Sequence, residues 1–164
     1  MKNLRKIGVF CGIISISILG SGCEKIQSSL PEDGYNTDVA MSAVEYSIFL
    51  SKQISVIENI LMTRMTMADS VANGSYNSSL EIANTEEAIS KSSAVKDELY
   101  VTMPAQSFDT DRQTILDLVE DALDILIEYQ NNLKNSSTTA IKNSGVKMKN
   151  CMLALSGEAN AYYQ

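Results

Sequence analysis

Apolar side chains recur at steps of three and four along most of this chain, and nothing alternates with period two over any length. That spacing belongs to helices that each bury one face, because 3.6 residues complete a turn. In the first segment Ala40, Val44, Ser47, Leu50, Ile54, Ile57, Leu61, Met65, Ala68 and Ala72 trace one stripe. Met41, Ile48, Val56, Ile60 and Met67 widen it into an arc broad enough to predict a central helix. Thr37 or Asp38 stands where a cap is needed, and Asn73-Gly74-Ser75 stops the helix after Ala72.

A second helix is predicted after Ser78, whose spacing to Glu81 fits a capping box, and runs to about Met103, before Pro104. Its stripe is thin, Ile82, Ile89, Val95, Leu99 and Met103, interrupted by Ser90, Ser92 and Ser93. The third segment is the most regular: Thr110 and Gln113 stand at capping-box spacing, followed by Ile115, Leu118, Val119, Ala122, Leu126, Tyr129 and Leu133. Asn135, Ser136 and Ser137 break the chain. A fourth helix then starts near Thr138, with Ile141, Met148, Cys151, Met152, Leu155, Ala159 and Tyr162 inward. Short polar breaks make neighbours antiparallel, so the fold expected is all-α, an up-down four-helix bundle over residues 38–164. The alternative is a three-helix core with the serine-rich second helix loosely packed against it.

Before that domain the pattern changes. Lys2, Arg5 and Lys6 precede an uncharged apolar run from Ile7 to Leu19, the order of a secretory signal peptide. Thirteen residues of helix rise about 20 Å, short of the bilayer's hydrocarbon core of about 30 Å. Leu19-Gly20-Ser21-Gly22-Cys23 resembles the lipobox of bacterial lipoproteins, although Leu stands one position further from the Cys than in the family pattern. The resemblance implies that residues 1–22 are removed and that Cys23 becomes the lipid-bearing first residue of a membrane-anchored protein. Two acyl chains, at about 0.8 kcal/mol per buried CH₂, hold stably where one holds marginally. Residues 23–37 carry Ser28, Ser29, Pro31, Glu32, Asp33 and Gly34, a turn-forming composition that predicts a flexible tether.

Composition narrows the chemistry. Loss of Lys2, Arg5 and Lys6 with the signal leaves 10 basic against 20 acidic residues, a surface that disfavours nucleic acid. The chain has no histidine, so Ser-His-Asp and Cys-His nucleophiles, Glu-x-x-His di-iron sites and axial His haem ligation are excluded. No enzyme activity and no cofactor are expected. Met62, Met65 and Met67 could offer soft ligands to Cu(I), but a helix spreads them around its circumference. Asp109 and Asp111 begin like a Ca²⁺ loop, yet Thr114 stands where an EF-hand needs Gly. Cys151, among Met148, Met152 and Leu155, reads as a small buried hydrophobe.

One surface carries concentrated charge. Asp117, Asp121, Asp124 and Glu128 are spaced four, three and four apart and form an acidic stripe on the third helix. Residues 81–128 hold 12 acids and three bases, while Lys142, Lys147 and Lys149 lie on the fourth segment. The stripe is the candidate partner surface, suited to a basic envelope protein, and a plain solvated face is its alternative. The function expected is that of a lipid-anchored, extracytoplasmic protein-interaction or structural module. Its rival is a ligand-binding module that holds a small apolar molecule or metal between helices.

Overall fold

Four helices follow one another: α1 (Ala43–Ala72), α2 (Ser78–Val101), α3 (Asp109–Lys134) and α4 (Thr138–Tyr162). The computed structural model describes residues 41–103 and 108–162, so the signal segment, Cys23, the tether and the caps expected at Thr37 and Asp38 lie outside the described residues. Among the described residues there is no strand, and no helix is long and apolar enough to cross a membrane. Each connection is short, and neighbouring helices run antiparallel as an up-down bundle. The second helix is a full member of it, packed extensively on α3.

The caps differ in register from those the sequence predicts. Ser42 starts α1 with a complete capping box: its hydroxyl accepts from Glu45 N, and the Glu45 carboxylate accepts from Ser42 N. Asn77, not Ser78, caps α2, with its Oδ1 accepting from Ser79 N and Leu80 N at 2.8 and 3.1 Å. An Asx side chain one residue earlier satisfies the orphan amides, and Glu81 is freed for another role. Thr110 caps nothing: α3 begins at Asp109 after Phe108 without a side-chain cap, and Gln113 bonds Asp117 instead. Both α1 and α3 end in Schellman turns. Ser75 N donates to Ser70 O after left-handed Gly74, and Ser137 N donates to Asn132 O after left-handed Ser136.

The interior is filled by side chains from all four helices. Leu50, Ile54, Ile57 and Leu61 of α1 meet Ile115, Val119, Ala122, Leu126 and Leu133 of α3 and Ile141, Met148 and Leu155 of α4 in one cluster. Fully burying such a side chain contributes about 1.5–3 kcal/mol, so this cluster is the main source of stability. The α1–α4 pair is the most extensive, and Gly145 is buried in it, where an added Cβ would meet Ala68 Cβ at an ordinary contact distance of 3.5 Å. Of the neighbouring pairs, α1–α2 is the thinnest.

Two stripes are shifted from expectation. Val44 and Ile48 are exposed, and Tyr46 is buried in their place, its ring 5.6 Å from Phe49 and 5.4 Å from Phe108. On α2 the inward line is Glu81, Thr85, Ala88, Ser92, Val95 and Leu99, while Ile82 and Ile89 are only half-buried and Met103 is exposed. Inward polar positions are why this helix shows so weak an apolar signal.

Candidate functional site

Between α3 and α4 the surface carries an open groove of about 400 Å³. Leu118, Ile125, Cys151 and Ala154 give it an apolar floor, and Asp121, Asp124 and Glu128 stand along the α3 side. The groove therefore combines greasy contact with a carboxylate rim, the pairing that a basic amphipathic segment can satisfy.

Three of the four acidic residues of the stripe converge on this groove. Asp121 and Asp124 are exposed there and form no ion pair among the described residues. Glu128 is half-buried and accepts from Lys147 Nζ at 2.6 Å, an ion pair that joins the acidic stripe of α3 to a lysine of α4. Asp117 is exposed outside the groove and accepts from Gln113 Nε2 at 2.8 Å. A basic ligand would thus meet two free carboxylates and compete with Lys147 for a third.

Cys151 forms part of the floor, with Sγ 3.6 Å from Leu118 O. Burial first, and the charge of Asp121 second, push its thiol up to about 11. A thiol so disposed is a packing group rather than a nucleophile. Lys147 and Asn150 line the opposite wall. The apolar floor is not legible in the sequence, where Leu118 belongs to the stripe expected to face the core and Ile125 lies outside that stripe. Both are partly exposed, and the floor they make with Cys151 and Ala154 needs α4 beside them, which nothing local to α3 encodes.

A second polar assembly lies inside the bundle. Glu81 is fully buried, and its carboxylate accepts from Arg64 Nη1 at 2.9 Å and from the Tyr129 hydroxyl at 3.2 Å, joining α1, α2 and α3. Burial raises the Glu81 carboxyl above its ordinary 4.5 even though Arg64, Tyr129 and Asn84 pull it down. Burial and the neighbouring carboxylate push the Tyr129 hydroxyl up as well. The outer side of this assembly is an open groove of about 370 Å³ between α1 and α2, lined by Asn59, Thr63, Arg64, Asn84, Glu87 and Lys91 among others. Charges in it are matched within the protein, Arg64 to Glu81 and Lys91 to Glu87. Carboxylate chemistry needs a group that is free to meet a substrate, and Glu81 is engaged on both oxygens.

The methionines do not assemble: Met62 is exposed, whereas Met65 packs on the core. Among the described residues no group of three or more Cys, Asp or Glu side chains could hold a metal ion. No family model, curated protein or solved structure matches this chain.

Proposed function

We propose that the protein is a lipid-anchored lipoprotein of the cell envelope, acting outside the cytoplasm as a non-enzymatic module that holds a basic segment of a partner protein. The single observation that carries the partner reading is the α3–α4 groove, where the unpaired Asp121 and Asp124 carboxylates stand beside the apolar surface of Leu118, Ile125 and Ala154. Long-range attraction would steer a lysine- or arginine-rich segment toward that rim, and the floor would accept its apolar side chains. Anchoring through Cys23 supports such weak recognition, because it raises the effective concentration of the domain for partners at the same membrane. The filled interior favours contact at the surface over a ligand held between helices.

A photo-crosslinker at Asn150, on the groove wall, tests the reading in the anchored protein within its own cells. It should capture a basic protein that a crosslinker at Glu87, in the α1–α2 groove, does not. Changing Asp117, Asp121 and Asp124 to Asn and Glu128 to Gln should leave the circular dichroism spectrum intact and abolish most of that capture. The loss should be deeper at low salt than at high, because screening weakens the wild-type attraction itself. Capture unchanged by the four substitutions would make the stripe a solvated face only. Independently, Cys23→Ala should abolish incorporation of labelled fatty acid, and continued labelling would remove the anchor.

A further inference from the structure

The two ends of the bundle differ in chemistry. At one end, where α1 starts and α2 finishes, Val44, Ile48, Val101 and Met103 are 70, 63, 77 and 68% exposed, and Met41 and Tyr100 are exposed beside them in sequence. The bond from Gln53 Nε2 to Glu98 Oε2 at 2.7 Å fixes the α1–α2 register, so the turns beyond it carry Ile48 and Val44 on one helix and Val101 on the other. At the opposite end the connections read Asn73-Gly74-Ser75-Tyr76-Asn77 and Asn135-Ser136-Ser137. In the last turns there, Leu80 is the one exposed large apolar residue among those described. Isolated apolar side chains on a surface are ordinary; a cluster of them at a single end calls for a covering surface.

We infer that this apolar end rests against the bilayer that carries the acyl chains, an inference that depends on the proposed anchoring through Cys23. The described chain begins at Met41, within the apolar end and 18 residues after Cys23. The chain leading back to Cys23 joins the described helices at Met41, so whatever its path the tether is attached to the bundle at the apolar end and not at the polar one. With the anchor holding the domain at the surface, shallow entry of a few side chains suffices, since interfacial binding grows with buried apolar area. At the same end Glu45, Asp97, Glu98, Asp109 and Asp111 outnumber Lys52, Lys96 and Arg112 and repel anionic headgroups on balance, so the surface that fits is a zwitterionic one.

The chain contains no tryptophan, so one introduced indole is an unambiguous reporter. The lipidated V101W and S137W proteins, full mature chains with acylation read by mass spectrometry, are reconstituted in phosphatidylcholine vesicles brominated near the headgroup. Emission from V101W should fall more than twofold and shift to the blue, while S137W is unchanged; added phosphatidylglycerol should reverse part of the effect. Equal quenching of the two proteins with acylation intact overturns the inference and leaves the anchor standing. Absence of acylation overturns both. A blue shift of V101W that grows with protein concentration but resists bromolipid would assign the surface to a second copy of the chain, and the inference fails.

Discussion

The Arg64 guanidinium donates to the Glu81 carboxylate across 2.9 Å, and Glu81 has no exposure to solvent. This pair crosses the thinnest of the neighbouring helix contacts, that between α1 and α2. Tyr129 completes it from α3, so three helices share one charged centre. A buried ion pair adds little net stability, because desolvation offsets much of the attraction, but it is costly to break. Its value here is orientation: only one rotation of α2 brings Glu81 to both partners.

Removing one member should therefore cost more than removing both. Glu81→Ala leaves the Arg64 charge without its partner and is expected to destabilise the mature chain by about 3–5 kcal/mol, measured by urea unfolding. The double change Arg64→Met with Glu81→Leu should recover most of that loss. A double variant as unstable as the single one would show that the pair is needed for more than charge compensation.

The same carboxyl sets a pH dependence. Glu81 has a folded-state pKa above 4.5, so between 4.5 and that raised value the native protein holds a proton that the unfolded chain has released, and above it the charged carboxylate pairs with Arg64. Its stabilising contribution is present below 4.5 and is lost as pH rises through the raised folded value. Glu45 and Glu87 shift the other way, Glu45 through hydrogen bonds with Ser42 and Glu87 through its bond with Lys91, and their contributions are lost only as pH falls below 4.5. The thermal midpoint of wild type minus that of Glu81→Gln should therefore decrease as pH is raised from 4.5. A difference that stays flat across that range would mean Glu81 is not titrating as a buried acid.

Helix capping separates two registers for α2. Asn77→Ala is expected to cost about 1 kcal/mol because its Oδ1 serves two backbone amides, whereas Ser78→Ala should cost a few tenths at most. The reverse ranking would restore the Ser78–Glu81 box.

That register is where sequence and structure part. The inner faces of α3 and α4 could be read directly, because Ile115, Val119, Leu126, Leu133, Met148 and Leu155 are apolar at helical steps and are buried. α2 could not be read so, since its inward line holds Glu81, Thr85 and Ser92, and Ile82 and Ile89 draw the apolar stripe round the helix. An acid three residues after a serine is a good cap by local rules. Only the arrival of Arg64 from α1 and Tyr129 from α3 turns it into a buried anchor. The groove has the same character: the acidic stripe is local to α3, whereas the floor needs α4.

Cys151 reports on that floor. The reactive form of a cysteine is its thiolate, and raising the pKa from 9.0 to about 11 lowers the thiolate fraction at pH 8 by about 100-fold. In a mature Cys23→Ala chain Cys151 is the single thiol, since Cys11 leaves with the proposed signal. Iodoacetamide should label it about 100-fold more slowly in the folded protein than in urea. Asp121→Asn should quicken the folded reaction slightly, because the carboxylate is the second cause of the shift. A folded rate close to the denatured one would mean that α3 and α4 separate readily in solution. The groove would then be a transient opening, and a partner would have to enter between the helices rather than lie on a preformed floor.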